Sequence, residues 1–368
     1  EFLDLRLLEG VQARLTNASR ARAPKGTVMV VRNRFGQPPL RRTTPPAPER
    51  YRRASLQALV NGLRDNGFRV QVVEGDERLP QHLRSEAGRC RESGNTPLVV
   101  LNFAGGTNGA ARLAQVPMLC EMLGVPYAGP QPQAPVLLDD RRAQLAALAI
   151  VGLPVPRFLD REEAEATVED PDLSIRVRPR FHPDRAGQTV RRPGDLSRVL
   201  RRQERYGEVL IEEVPRGRAL SVVLLERDAN ESPEILPIVE RLDGRGFRVA
   251  ADIDAHTKAR LGALAARAAS VLGSRDLARV DLKVAGSGAV CLTQVVPVEI
   301  LAPQGATASA AQAAGFSITT IARHLVARAL QREGGSSGAS AAAAPYTPLD
   351  DLLQVRRPCA TSVSSVIA

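Results

Sequence analysis

The sequence predicts an α/β unit followed by an α+β unit. In the first half, short apolar strands alternate with amphipathic helices, the order expected of a parallel sheet with crossover helices. From Leu173 onward, strands dominate and helices become fewer, which is typical of α+β structure. The 368 residues are enough for two or three units with a sizeable core.

The first half alternates strands and helices. In chain order we predict a strand, a helix, two strands, a glycine-rich turn, a helix and a strand-turn, over Thr27–Val31, Tyr51–Asn66, Phe68–Val73, Pro97–Phe103, Ala104–Ala111, Leu113–Leu123 and Val125–Pro130. Gly67 and Gly124 follow the two helices, at the position where glycine commonly ends a helix. Residues 1–26 are predicted to be a polar leader.

The second half begins with a helix over Asp139–Val151, which Gly152 ends. Six strands follow, over Ser174–Arg178, Val209–Val214, Ser221–Glu226, Ile235–Glu240, Arg279–Val284 and Val290–Val295. Three helices are predicted among and after them, over Asp195–Glu204, His256–Leu272 and Thr307–Leu330. After Arg332 the sequence becomes rich in Gly, Ser and Ala, so residues 333–368 are predicted to be a flexible tail.

The composition excludes several classes of protein. Apolar residues make up 43% and charged residues 24%, which excludes a chain disordered throughout. No run approaches the ~18–20 apolar residues needed to span a bilayer, so we expect no membrane association. The four cysteines lack the spacing of a disulfide framework or a zinc site, so we expect a reducing, cytoplasmic location.

The basic residues are nearly all arginines. Lys and Arg number 50 against 40 Asp and Glu, a formal net charge of +10, and only Lys25, Lys258 and Lys283 are lysines. The arginines are scattered in short pairs, and aromatic residues make up only 3%. Single-stranded nucleic acids are usually bound by aromatic side chains beside a basic groove, and the sequence lacks that combination. We therefore do not expect a nucleic-acid partner.

Four segments carry a resemblance to a known family, at Val100–Asp139, Gly152–Phe158, Val209–Leu225 and Leu277–Leu301. Together with the predicted closing helix, they resemble in order the motifs of the D-alanine–D-alanine ligase-like branch of the ATP-grasp superfamily. The resemblance implies an ATP-grasp fold with a parallel-sheet, pre-ATP-grasp domain over 27–138. It also implies a central subdomain over 139–207, a C-terminal subdomain over 208–332, and a homodimer.

The resemblance also implies a chemistry. Family members use ATP to phosphorylate a carboxylate, and an amine then attacks the acyl phosphate. Such a site needs Mg²⁺ on oxygen ligands, cations on the phosphates and a donor for the oxyanion. The residues that match are Arg279 as the oxyanion donor, Arg178 as a phosphate cation, Glu212 and the backbone of Val214 for the adenine, and Asp281 and Gln294 for the metal.

Several matching positions depart from the family pattern. Asp140 stands where the family has a phosphate-binding lysine, and Ala219 replaces a ribose-binding Glu. Gln294 and Val296 replace a Glu and an Asn that bind the metal. The phosphate loop becomes the bulkier segment 180–187. Plain structural roles also suit these residues, since Gln294 and Val296 fit a buried strand and Arg279 could simply pair with Asp281.

Three hypotheses follow. The first is a non-catalytic homologue that binds nucleotide weakly and has lost its Mg²⁺ site. The second is an active ATP- and Mg²⁺-dependent ligase that joins amino acids or small peptides with a rearranged site. The third is a basic protein that binds a polyanion.

Overall fold

The computed structural model describes residues 26–33, 53–93, 97–107, 109, 111–170, 173–181, 187–226, 232–242, 246–296, 301 and 304–334. Nearly all of the leader predicted over 1–26 and of the tail predicted over 333–368 lies outside these ranges, as does most of the loop 180–187. Within the described ranges, no helix is long and apolar enough to cross a membrane.

A four-stranded parallel sheet in the order β2-β1-β3-β4 forms the N-terminal domain. Its strands are β1 (Thr27–Arg32), β2 (Arg69–Glu74), β3 (Leu98–Asn102) and β4 (Tyr127–Ala128), and its helices are α1 (Arg53–Asp65), α2 (Leu79–Glu92) and α3 (Gln115–Leu123). Alternate residues of β1 face opposite sides, so Val28 and Val30 pack against α1 while Met29 and Val31 pack against α2 and α3. Both faces of the sheet are covered, as the parallel order predicts.

The helix α2 was absent from the sequence prediction. Its apolar stripe is narrow, because only Leu79, Leu83, Ala87 and Cys90 are buried apolar residues. Glu86 lies on the same buried side and is held by Arg69 at 3.1 Å and by Arg89. A charged residue inside the stripe hides the helical period from sequence analysis.

The helix predicted over Asp139–Val151 is two helices. They are α4 (Gln133–Asp139) and α5 (Arg141–Ile150). Asp140 between them has extended backbone angles (φ −90°, ψ 100°), and its carboxylate accepts hydrogen bonds from the N–H groups of Arg142 and Ala143. Asp140 is therefore the N-cap of α5, which is a favoured role for Asp.

An antiparallel sheet in the order β5-β8-β6-β7 forms the central subdomain. Its strands are β5 (Phe158–Leu159), β6 (Ile175–Pro179), β7 (Gln188–Val190) and β8 (Val209–Glu213), with helices α6 (Arg161–Thr167) and α7 (Pro193–Gln203). The sequence prediction missed β5, β7 and α6, which are all short. Ile175 and Val177 pack in the core beneath α7, so the alternate residues of β6, Arg176 and Arg178, face the other side of the sheet.

The C-terminal subdomain is built on a second antiparallel sheet, in the order β12-β11-β9-β13-β14, with β10 paired to β9. Its elements are β9 (Arg218–Leu225), β10 (Glu234–Ile235), β11 (Val239–Leu242), β12 (Gly246–Val249), α8 (Ala255–Val271), β13 (Leu277–Val284), β14 (Val290–Val296), α9 (Ala306–Ala313) and α10 (Ile318–Gly334). The helix predicted over Thr307–Leu330 is broken in two near Gly315, whose φ of 79° is not helical. The strand predicted over Ile235–Glu240 is likewise divided between β10 and β11.

An ionic cluster joins the N-terminal domain to the C-terminal subdomain. Asp276, buried and with a left-handed φ of 65°, binds Arg332 of α10 at 3.0 Å and accepts a 2.7 Å hydrogen bond from the N–H of Gly129. Its own N–H donates to Glu226 at 2.7 Å, and Glu226 in turn pairs with Arg328 at 2.9 Å. One carboxylate therefore ties together three segments that lie far apart in the sequence.

Candidate functional site

A cleft of about 250 Å³ lies between the sheets of the central and C-terminal subdomains. Strands β6 and β8 contribute one wall, and β9, β13 and β14 contribute the other. Five of the six predicted site residues line it, namely Arg178, Glu212, Val214, Asp281 and Gln294. The sixth, Arg279, lies two residues before Asp281 on β13, on the same face of the strand. The sequence therefore predicted residues that the fold brings together.

A buried ion pair spans the cleft wall. Arg141 at the start of α5 is 1% exposed, and its guanidinium grips both carboxylate oxygens of Glu212, at 2.7 and 2.9 Å. Its Nη1 also donates to the carbonyl oxygen of Thr293 at 2.5 Å and to Gln144 at 3.2 Å. Arg141 thus connects α5, β8 and β14, and it holds a positive charge at the inner end of the cleft.

Arg141 corrects the expectation about Asp140. That residue does not line the cleft, because its carboxylate caps α5 and binds Arg180 at 2.6 to 3.1 Å. The cation that enters the cleft from this segment is the next residue. The pair Asp140-Arg141 keeps the family's order of an Asp followed by a cation. The sequence therefore contained this signal, one position after the match that assigned the cation to residue 140.

Glu212 is surrounded by positive charge. Arg178 Nη1 lies 3.7 Å from the same carboxylate, and Arg176 lies beside it on β6. Burial alone would raise the pKa of Glu212, but the hydrogen bonds and charge of Arg141 and the charges of Arg178 and Arg176 together lower it below its usual value. Glu212 is therefore a carboxylate already engaged by the protein, and its role toward an adenine stays a prediction.

The lining of the cleft is basic. Its charged side chains are Arg141, Arg176, Arg178, Arg241 and Lys283 against Glu212, Glu213 and Asp281. Five cations against three anions favour a negatively charged ligand. The sequence analysis missed Lys283, one of only three lysines, because it lies outside both lysine positions of the family pattern.

The residues predicted to bind Mg²⁺ lie close together, but their charges cancel. Asp281 lies opposite Gln294 across β13 and β14. Its carboxylate forms a 3.0 Å ion pair with Arg279 Nε and accepts a 2.6 Å hydrogen bond from Ser221. Gln294 is uncharged, and Val296 supplies no donor. The arginine cancels the charge of the one carboxylate, so these residues do not fit a divalent cation, which needs anionic oxygen ligands.

No other acidic cluster replaces this site in the described part of the chain, where no group of three or more His, Cys, Asp or Glu is placed to hold a metal ion.

The backbone of Val214, predicted to pair with an adenine, already makes a hydrogen bond within the protein. Its N–H donates to the carbonyl oxygen of Ser174 at 2.9 Å, so a nucleotide ring cannot accept from it while that bond stands. Ala219 lies in the cleft wall with no polar side chain for a ribose.

Gly217 fixes the turn between β8 and β9 at the rim of the cleft. Its φ is 113°, and a Cβ there would lie 2.1 Å from the carbonyl oxygen of Val284. Only glycine fits such an approach. Its own carbonyl oxygen accepts a 3.0 Å hydrogen bond from Lys283 Nζ, which holds this lysine beside the cleft.

A second ion cluster borders the same rim on β9, β11 and β12. Glu240 accepts hydrogen bonds from Arg218 at 2.9 and 3.0 Å and from Arg248 at 2.7 and 3.0 Å. Arg218 also binds Asp252 at 2.8 and 3.0 Å. The hydrogen bonds from Arg218, followed by those from Arg248, lower the pKa of Glu240 from 4.5 to about 2.

This shift predicts a pH dependence of stability. Because the pKa of Glu240 is lower in the folded chain, its contribution is complete above about pH 4.5 and is lost as the pH falls toward 2. We expect Glu240→Gln to reduce the fall in unfolding free energy over this window by about 1 kcal/mol, since the arginines are partly screened by solvent. The measurement is urea unfolding at a series of pH values. The control is Glu169→Gln, at an exposed residue, and an unchanged pH profile in Glu240→Gln would refute the assignment.

Comparisons with known proteins agree with this architecture. No family model matches the chain. An uncharacterized protein, y4sG, from Sinorhizobium fredii is 28% identical over 328 residues, which are 83% of this chain and 94% of that protein. The D-alanine–D-alanine ligase of Desulforudis audaxviator is 29% identical over 301 residues, 76% of this chain and 93% of the ligase. The chain therefore resembles D-alanine–D-alanine ligases of the ATP-grasp type over most of its length.

Solved structures show the same fold for this ATP-grasp chain. The D-alanine–D-alanine ligase of Bacillus anthracis, in a crystal structure complexed with ATP, aligns with a TM-score of 0.64 at 16% identity, over 84% of this chain and 99% of the ligase. The ligase of Coxiella burnetii gives 0.64 at 17% identity, over 85% and 96%. The fold class predicted from the sequence, an ATP-grasp fold with an N-terminal parallel-sheet domain, is confirmed.

Proposed function

We propose that this ATP-grasp chain binds a nucleotide or a similar polyphosphate in its cleft without Mg²⁺, and that it does not catalyse ligation. The observation that carries the proposal is the pairing of Asp281 with Arg279 beside the uncharged Gln294. Where a ligase of this kind needs an anionic metal site, the cleft offers a neutral one.

The charges around the cleft support the same conclusion. Phosphoryl transfer depends on neutralising the phosphates, and either metal ions or side chains supply the charge. Here Arg178 lines the cleft and Lys283 lies at its rim, so the protein itself supplies positive charge. Guanidinium groups bind phosphate oxygens through paired N–H donors. A free polyphosphate suits such a cleft at least as well as one already neutralised by Mg²⁺.

An active ligase with a rearranged site is the second candidate. The observation that favours it is the register of β13 and β14, which places the side chains of Asp281 and Gln294 opposite each other. In this alternative, Arg178 binds phosphate, Arg279 serves as the oxyanion donor, and a ligand must draw Arg279 away from Asp281. The two candidates differ in whether Mg²⁺ matters.

A thermal-shift titration separates them. We expect ATP in excess EDTA to raise the Tm by about 2 to 4 °C at concentrations well above its Kd, and added Mg²⁺ to give no further rise. Arg178→Gln should lose most of the shift, whereas Arg142→Gln, an exposed neighbour of the buried cation, should retain it. A larger shift with Mg²⁺, together with phosphate release that depends on amino acids and disappears in Arg279→Ala, would establish the ligase instead.

A further inference from the structure

Helix α7 carries a row of arginines on its outer face. Arg198, Arg201, Arg202 and Arg205 follow one another at intervals of three, one and three residues, which places them on one side of α7 and of the 3-10 turn (Glu204–Tyr206) that follows it. All four are exposed. Leu196, Val199 and Gln203 occupy the opposite side and are buried against the sheet. The arginines therefore point directly away from the core of the subdomain.

Two more arginines extend this row. Arg191 and Arg192 lie in the turn that enters α7, and both are exposed. We call these six residues the α7 basic face. They add two exposed positive charges at the N-terminal end of α7, where Arg192 is the N-cap residue.

Most of this charge is uncompensated. Arg198 pairs with Asp195 at 2.6 Å. For the other members of the α7 basic face, the described residues provide no ion pair or side-chain hydrogen bond; these are Arg191, Arg192, Arg201, Arg202 and Arg205. Elsewhere in the chain, exposed arginines such as Arg157 and Arg161 do find carboxylates. These five exposed guanidinium groups lie within residues 191–205, and a polyanion would relieve the repulsion between those that are close together.

We propose that the α7 basic face binds the phosphate backbone of double-stranded nucleic acid without reading its sequence. From Arg198 to Arg205, the four arginines of the helix and the following turn span about 10 Å along the axis, at roughly 1.5 Å per residue. A duplex carries one negative charge per ~1.7 Å, or roughly six over the same length. Arginine forks bind phosphate oxygens, and such contacts hold the duplex in position without base recognition.

Two alternatives are less well matched to this surface. Single strands are bound by stacking on aromatic side chains, and Tyr206 is the only aromatic residue between positions 191 and 206. Membrane-surface helices insert apolar side chains into the bilayer, but Leu196 and Val199 are buried in the core of the subdomain. The α7 basic face provides the cations that bind the phosphates of a duplex. It provides charge for a membrane surface but no apolar side chain to insert into the bilayer.

The α7 basic face is separate from the cleft. The sheet lies between them, since Ile175 and Val177 face α7 while Arg176 and Arg178 face the cleft. Duplex binding therefore does not rest on the proposed nucleotide function. ATP that occupies the cleft should leave the affinity for a duplex unchanged.

Fluorescence anisotropy with a labelled duplex of mixed sequence tests the proposal. With four to five phosphates contacted, the slope of log K against log salt should be about −4, so that affinity falls roughly two to three hundredfold between ~50 and ~200 mM salt. The triple variant Arg201→Glu/Arg202→Glu/Arg205→Glu should bind at least about a hundredfold more weakly in low salt and lose about three units of slope. Its thermal melting curve checks that it remains folded.

The control is Arg78→Glu/Arg84→Glu/Arg91→Glu, which changes the net charge by the same amount at exposed arginines on and beside α2. We expect it to retain most of the affinity. An equal loss in both variants would show that only net charge matters, and it would overturn the proposal. Tighter binding to vesicles containing phosphatidylserine than to the duplex would assign the face to a membrane and overturn it as well, as would no measurable binding to the duplex at ~50 mM salt.

Discussion

Replacement of Arg141 by alanine is expected to lower the free energy of unfolding by about 3 to 5 kcal/mol, the cost of removing one partner from a buried ion pair. Arg141 and Glu212 have side chains 1% and 4% exposed, so water cannot solvate the carboxylate that remains. The variant would also leave the carbonyl oxygen of Thr293 without this donor. Arg178, at 3.7 Å, is too far to replace the lost hydrogen bonds.

The neighbouring arginine provides the control. Arg142 is 63% exposed and lies 3.8 Å from Glu208, so Arg142→Ala should change the unfolding free energy by less than about 1 kcal/mol. Arg141→Lys tests geometry against charge, because an ammonium cannot reproduce two parallel hydrogen bonds to one carboxylate. We expect it to recover part of the loss. Urea unfolding measures all three, and equal values for Arg141→Ala and Arg142→Ala would disprove the assigned role of the buried pair.

The ion pair of Arg141 and Glu212 shows how far the sequence could predict this site. Motif order was enough to place Arg178, Glu212, Asp281 and Gln294 in one cleft, because each motif is tied to a strand and the strands form the walls. Arg141 was missed because the sequence does not show that the predicted helix breaks at Asp140. A one-residue shift at a helix start decides which side chain enters the cleft.

The contacts of the charged side chains were the other feature that the sequence could predict only in part. The sequence shows Arg279 and Asp281 two residues apart, and their pairing was one of two predicted roles for them. It does not show that Lys283 reaches the carbonyl oxygen of Gly217, because that contact depends on a glycine with φ 113° in another strand connection. The sequence likewise shows Arg201 and Arg202 as one of several scattered pairs, and α7 places them on one face with Arg198. Long-range side-chain contacts depend on tertiary packing, which neither period nor motif encodes.

The second large loss of stability is expected when Asp276 is replaced. We expect Asp276→Ala to lower the unfolding free energy by about 3 kcal/mol, because the N–H of Gly129 loses its acceptor and Arg332 loses its carboxylate, keeping only the carbonyl oxygen of Tyr127. The backbone adds to this cost. Residue 276 has φ 65°, a conformation that Asp and Asn adopt more readily than alanine does.

Asp276→Asn separates the two contributions. Asparagine tolerates the same backbone and keeps an oxygen for the N–H of Gly129, but it loses the charge that holds Arg332. We therefore expect a smaller loss, about 1 to 3 kcal/mol, measured by the same urea unfolding. A loss below about 1 kcal/mol in Asp276→Ala would mean that α9 and α10, packed on the shared core, join the two domains without this carboxylate. Equal losses in the two variants would instead mean that the charge alone matters and that the left-handed backbone costs alanine nothing.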